Sequence, residues 1–172
     1  MRILLTGSRG YIGSVMAPML VRAGHDVVGL DTDLYRRSTY GPWEESIQTI
    51  VKDVRAIEPH DVRGVDAIVH LAALSNDPLG DLNPQLTFDI NHLGSVRLAE
   101  LGRSVGVSRF VFASSCSNYG ASGDGLLDER AALAPLTPYA VSKVKLEEEL
   151  ARLADDTFTP VFLRNATAYG IS

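Results

Sequence analysis

Three glycines spaced three apart stand at the head of this chain, and what flanks them narrows the folds open to it. The apolar run Arg2-Ile3-Leu4-Leu5 leads straight into Thr6-Gly7-Ser8-Arg9-Gly10-Tyr11-Ile12-Gly13. Tyr11 to Ala23 then carries helical periodicity, so the segment reads as strand, tight turn and helix. Gly7 supplies the φ > 0 conformation that the turn needs. Gly10 leaves the backbone open to a pyrophosphate, and Gly13 lets the helix pack close to the sheet. The helix start offers unpaired N–H groups and the positive end of its dipole to phosphates. Pro18 removes one intrahelical hydrogen bond and is expected to kink or shorten this helix.

An ordinary Gly-rich turn would account for the triplet alone, but not for the strand that comes after the helix. Val27-Val28-Gly29-Leu30-Asp31 is a second buried strand ending in an acid, close to the distance expected for a carboxylate on the adenosine ribose hydroxyls. A carboxylate there repels a 2′-phosphate, so Asp31 favours NAD over NADP. Arg36 and Arg37 lie several residues past the strand end and alter that inference little.

The same alternation fills the rest of the chain. Strands are expected at 2–6, 26–31, 47–51, 66–71, 108–114 and 159–164, and helices at 11–23, 85–105 and 138–154, with a short helical turn near 57–61. Ala67-Ile68-Val69 and Phe110-Val111-Phe112 are apolar on both faces, as in central strands of a covered parallel sheet. The expectation is a Rossmann-type, doubly wound α/β sheet with helices on both faces. Thr32 to Ser46, with Arg36, Arg37, Gly41 and Pro42, reads as a surface loop. A length of 172 residues suits one domain, and 45% hydrophobic with 22% charged residues excludes disorder. The net charge of −5 and the lack of a basic patch argue against a nucleic-acid partner. The one cysteine, Cys116, fits a reducing compartment and reads as a small core residue. No leader-like segment opens the chain, and no apolar run approaches the ~20 residues of a bilayer span. A soluble, cytoplasmic protein without a membrane partner or a metal is expected.

The chemistry gathers at the carboxyl ends of the strands. Asp53-Val54 comes after the third strand, where such a sheet passes the adenine edge. Asp53 is placed to accept from the exocyclic amine, and the Val54 N–H to pair with a ring nitrogen. Leu71-Ala72-Ala73-Leu74-Ser75 comes after the fourth strand; its small residues let the backbone approach a cofactor, and Ser75 is placed to face a substrate. Tyr139 and Lys143 share a helix face at i and i+4 behind Pro138. An ammonium beside a phenol stabilises phenolate, lowering a pKa that starts near ~10. That makes Tyr139 a general acid or base. Lys143 is also in reach of a nicotinamide ribose. Ser115 ends the fifth strand and is placed to hold the reacting oxygen, with Ser114 and Ser117 as alternative donors.

These residues occur in an order that resembles the extended short-chain dehydrogenase/reductases, and most closely the NAD-dependent epimerase/dehydratase group of UDP-galactose 4-epimerase-like enzymes. The resemblance rests on Thr6 to Gly13, Asp31, Asp53-Val54, Leu71-Ala72-Ala73, Asn91, Ser114 to Gly120 and Tyr139-Ala140-Val141-Ser142-Lys143. It implies NAD as cofactor. The pyrophosphate would be held by the turn Gly7, Arg9, Gly10, Tyr11, Ile12 and Gly13, and the ribose by Asp31. Asp53 and Val54 match the adenine contact, and Leu71, Ala72 and Ala73 the turn beside the cofactor. Ser115, four residues before Tyr119, falls on the catalytic Ser/Thr position, Tyr139 on the catalytic base and Lys143 on its partner. Asn91 matches a helix Asn that supports the site. Leu163 to Thr167 resembles the segment beside the nicotinamide, with its usual Asn shifted or replaced.

The implied reaction is transient oxidation of a nucleotide-sugar, with hydride returned to the other face in an epimerase. A one-way sugar dehydrogenase or ketoreductase would use the same residues. An NAD-binding module without catalysis is the alternative from another class. In sugar 4,6-dehydratases of the group, an Asp-Glu pair comes directly after the catalytic Ser/Thr. Here Cys116 and Ser117 stand in those places, which argues against that elimination. The family's smaller C-terminal substrate lobe has no counterpart in residues 1–172, which would then form the NAD-binding domain alone. Leu93, Val96, Leu146 and Leu150 exceed what one sheet face needs, and the family pairs the corresponding helices across a two-fold axis. A homodimer is therefore expected.

Overall fold

The computed structural model describes residues 1–36, 47–121 and 125–170; Arg37, Gly41 and Pro42 of the expected surface loop lie outside them. Strands β1 (Arg2–Thr6), β2 (Asp26–Asp31), β3 (Gln48–Val51), β4 (Ala67–His70), β5 (Arg109–Ser115) and β6 (Thr159–Asn165) fall within a residue of their expected bounds. They form one sheet in the order β3-β2-β1-β4-β5-β6, and every neighbouring pair is parallel. The strand order reverses between β1 and β4, which opens the ligand crevice of a doubly wound sheet at their carboxyl ends.

Alternation along each strand builds two cores. Leu4, Leu30, Ile68, Phe110 and Phe112 point to one face, where Leu98 of α4 (Ser95–Ser104) and Leu146 and Leu150 of α5 (Pro138–Leu153) close over them. Leu5, Val27 and Val69 point to the other, against Met16, Ala17 and Leu20 of α1 (Tyr11–Arg22). Helices thus lie on both faces, but unequally. Beyond α1, an apolar groove of about 490 Å³ runs over β4–β6, lined by Val69, Val111, Ala113 and Leu163 among others. The expectation that Val69 and Val111 sit in a covered sheet therefore holds on the α4–α5 face only among the described residues.

Several helical expectations change. α1 runs through Pro18 to Arg22 without the expected shortening, because Ala23 N–H to Met19 O (3.0 Å) and Gly24 N–H to Val21 O (2.9 Å) hold the turn after the proline. The helix expected at 85–105 is a succession of α3 (Pro84–Phe88), a π-helical turn Asp89–Gly94 and then α4, and a helix that was not expected, α2 (Asp77–Leu82), precedes it. Asn76 and Asn83 cap α2 and α3, accepting from Leu79 N–H and Leu86 N–H, and a proline stands within two residues of the cap in each case. The turn near 57–61 is a short 3-10 helix over Pro59–Asp61, with a Glu58/Asp61 capping box bridged by Lys52. Leu146 and Leu150 are fully buried on the sheet and Val96 packs beside them, leaving Leu93 as the exposed member of the four residues expected at a dimer interface. Two of those residues are consumed by the fold itself. No helix among the described residues is long and apolar enough to cross a membrane.

Candidate active site

The glycine turn has the shape that an anion requires. Gly7 has φ +69°, and a Cβ there would meet Ala72 N at 2.8 Å, so the loop after β4 passes directly over it. A Cβ at Gly13 would lie 2.1 Å from Gly7 O, so this glycine is needed by the turn's own backbone rather than by the sheet. Gly10 precedes the first residue of α1, and no side chain caps that helix. The Tyr11, Ile12 and Gly13 end of α1 is thus open to an anion. Asp31 sits beside it with both oxygens oriented, accepting from Arg9 N–H at 2.9 Å and Asp33 N–H at 2.8 Å. A carboxylate retains further lone pairs after two such bonds. An uncapped helix start, a glycine cradle and an oriented acid together fit an NAD pyrophosphate and ribose. Arg9 pairs with Asp33 (2.7 Å), and the Tyr11 hydroxyl donates to Gly170 O (2.6 Å).

Ser115, Tyr139 and Lys143 converge at the end of β5. Thr137 caps α5 by accepting from Ala140 N–H at 3.1 Å, and Pro138 opens the helix with its fixed φ. That start sets Tyr139 in the first turn, with its phenol beside Ser115. The two rival serines point elsewhere. Ser114 donates to Glu147 Oε1 at 2.5 Å and Ser117 to Asp77 Oδ2 at 3.2 Å. Lys143 is buried, donates to Ala113 O at 2.8 Å, and lies 4.6 Å from the Phe112 ring centroid and 5.5 Å from that of Tyr139.

The protonation of this pair differs from expectation. Burial raises the Tyr139 phenol; the nearby Ser115 hydroxyl offsets part of that, and Asp77 and Cys116 raise it further. Burial lowers Lys143 to about 7. The ammonium turns to the Ala113 carbonyl and sits over the ring, so it is desolvated without acting on the phenol oxygen. Cys116 is exposed in the site's mouth, not the small core residue expected.

The remaining positions surround these two clusters. Asp53 caps a 3-10 turn and is paired with Arg55 (2.7 Å), whose hydrogen bonds hold the carboxyl below its usual range. Val54 is buried, and a Cβ at Gly94 would lie 3.3 Å from its side chain, so the π-helical turn packs against it. Leu71, Ala72 and Ala73 are half-buried and Ser75 is exposed. Asn91 holds this loop, accepting from Leu74 N–H at 2.8 Å and donating to Leu74 O at 3.1 Å. Arg164, in the segment likened to a nicotinamide contact, instead pairs with Glu147 at 2.6 Å and donates to the Tyr119 hydroxyl at 3.2 Å.

Two hubs escaped the sequence reading. His70 is buried between Thr6 Oγ1 and Ser95 Oγ, each at 2.7 Å from a ring nitrogen. Thr6 Oγ1 already accepts from Leu71 N–H and Ala72 N–H, so its hydroxyl donates to Nδ1, and Nε2–H donates to Ser95. Burial lowers this imidazole to about 3, which agrees with a neutral ring. Glu147 is the second hub, joining Ser114, Asn118 and Arg164 behind the Ser115 loop. Its i+4 relation to Lys143 was the available signal. Asp77 is also placed at the site, as the first residue of α2 behind the Asn76 cap.

The model of the NAD dependent epimerase/dehydratase family matches residues 3–172. Over 148 residues the chain is 32% identical to a putative UDP-glucose 4-epimerase of Methanocaldococcus jannaschii, covering 85% of this chain and 48% of that protein. Among solved structures, TunA, an NAD dependent NDP-hexosamine 5,6-dehydratase of tunicamycin biosynthesis, superposes with a TM-score of 0.84 at 33% identity, covering 95% of this chain and 54% of that one. MoeE5 in complex with UDP-glucuronic acid and NAD superposes with a TM-score of 0.80 at 30% identity, covering 94% and 52%. The chain spans about half the length of the relatives it matches. A match running from the first strand past the sixth takes in both clusters at the sheet edge, and the chain belongs to the NAD dependent epimerase/dehydratase family, with NAD as its cofactor.

Proposed function

We propose that this protein acts on a nucleotide-sugar by transient oxidation and reduction, as an epimerase, with Ser115, Tyr139 and Lys143 as the catalytic group. The observation that carries this reading is that Ser115 stands near enough to the Tyr139 phenol to favour its ionised form, while Ser114 and Ser117 turn away to carboxylates. NAD, bound at the glycine turn, would supply the hydride acceptor and donor. Tyr139 takes the proton from a sugar hydroxyl, and Ser115 holds the oxygen as it becomes a carbonyl. Lys143, buried and 5.5 Å from the Tyr139 ring centroid, would bond the ribose of the bound cofactor. Ser75, exposed on the loop after β4, would contact the substrate. Residues 1–172 would form the cofactor-binding domain. Most contacts to the sugar nucleotide would belong to the part of the relatives' length that this chain does not match.

Tyr139→Phe tests the reading. The change removes the proton acceptor and keeps the ring, so NAD affinity should stay near wild type while turnover of a UDP-sugar falls about 10²–10⁴-fold. Turnover within twofold of wild type would overturn it.

A further inference from the structure

Ser115 and Tyr139 belong to different elements, and something must hold those elements in register. Asp77 lies at the first residue of α2, behind the Asn76 cap. Its Oδ2 accepts from Ser117 Oγ at 3.2 Å, and its Oδ1 accepts a short hydrogen bond from Thr137 Oγ1. Each donor is itself joined to half of the reacting pair. Ser117 N–H donates to Ser115 Oγ at 3.1 Å. Thr137 Oγ1 accepts from Ala140 N–H and so fixes the first turn of α5, in which Tyr139 stands.

The rest of α2 is built to the same end. A Cβ at Gly80 would come 3.0 Å from the Tyr139 Cβ and 3.3 Å from its backbone nitrogen, so α2 seats directly on the residue. Thr87 Oγ1 donates to Gly80 O at 2.9 Å, and Asn91 grips the loop at Leu74. α2 is therefore braced from behind while Asp77 reaches forward.

We propose that Asp77 is a positioning residue: its carboxylate clamps the Ser115 loop to the first turn of α5 and so keeps the hydroxyl and the phenol in contact. This rests on the reading of Ser115 and Tyr139 as the reacting pair. The placement of a negative charge is a second effect, since Asp77 faces the phenol from α2 and raises its proton affinity. Cys116 acts in the same sense from the turn after β5, and Lys143 lies over the ring from α5.

Two variants separate these effects. Asp77→Ala removes both arms of the clamp, and Asp77→Asn keeps an acceptor while removing the charge. Crystal structures should show Ser115 Oγ beside the Tyr139 hydroxyl in the wild type and moved away from it in Asp77→Ala; an unchanged separation in that variant overturns the proposal. In Asp77→Asn, the phenol titration, read as the ultraviolet difference from the same chain carrying Tyr139→Phe, should move to lower pH. An unmoved midpoint would mean that the charge does not face the phenol and would also overturn it. With a UDP-sugar substrate, kcat of Asp77→Ala should fall about 10–100-fold at unchanged KM for NAD, the scale expected for misplacement of a reacting group. If Tyr139→Phe leaves turnover intact, the proposed reaction fails, and the structures and the titration still decide the clamp. Should Asp77→Ala not fold, Ser117→Ala cuts one arm alone and carries the same structural test.

Discussion

Asp31 and Asp33 put two carboxylates beside the glycine turn, and each has a fixed partner: backbone N–H groups for Asp31, the Arg9 guanidinium for Asp33. A 2′-phosphate brought to Asp31 would meet both carboxylates. NAD(H) should therefore bind at least about tenfold tighter than NADP(H), or roughly 1.4 kcal/mol, and calorimetry with the two dinucleotides measures it. His70 makes a different claim. Its folded pKa, about 3, lies below the ordinary 6.5, so the unfolded chain takes up a proton that the folded chain refuses. The contribution is fully present above about 6.5 and is lost as pH falls from there toward 3. Nitrogen-detected NMR should find a neutral, Nε2-protonated ring at pH 5; a protonated ring there would contradict the burial argument. The preference at Asp31 was readable in sequence, but the His70 cluster was not, because Thr6, His70 and Ser95 come together only when β1, β4 and α4 are assembled. The Ser115 position, by contrast, was narrowed to three serines, and the structure separates them by giving two a carboxylate partner.

At the scale of elements, the strands were legible because β-branched and aromatic runs bounded by turn residues are local signals. The start of α5 was legible as well, from Pro138 at its first position. Residues 77–88 were not. Pro78, Gly80 and Pro84 look like breakers, yet each proline stands just behind an Asn cap, where a missing N–H costs nothing. The π-helical turn over Asp89–Gly94 was likewise invisible, since one inserted residue leaves little trace in an apolar pattern. The glycine turn yields a sharp prediction. In Gly13→Ala the new Cβ meets Gly7 O and Ser8 Cα, which are backbone atoms and cannot give way. A loss of at least about 1–3 kcal/mol is expected, with loss of NAD binding. Gly125→Ala, where nothing lies within 4 Å, should leave the denaturation midpoint within error of wild type. Equal stability of the two variants would show that the turn relaxes.

For the whole molecule, the burial of Leu146 and Leu150 leaves the outer surfaces of α4 and α5 mostly polar around Leu93. A homodimer remains the expected assembly under the proposed function, with Leu93 at its interface. Sedimentation equilibrium at tens of micromolar should show dimer, and Leu93→Asp should shift it to monomer. A wild-type monomer at that concentration contradicts it. The order of the sheet also has a consequence in time. β1 is synthesised well before β4, yet it lies in the middle of the sheet, and the Thr6–His70 pairing spans 64 residues of chain. β2 can cover one edge of β1 early. At ~5–20 residues per second the other edge waits roughly 3–13 s for β4 to be made. During that interval an apolar strand presents unpaired backbone to any other strand nearby. A strand paired on both edges in the finished sheet is thus open along one edge during its synthesis.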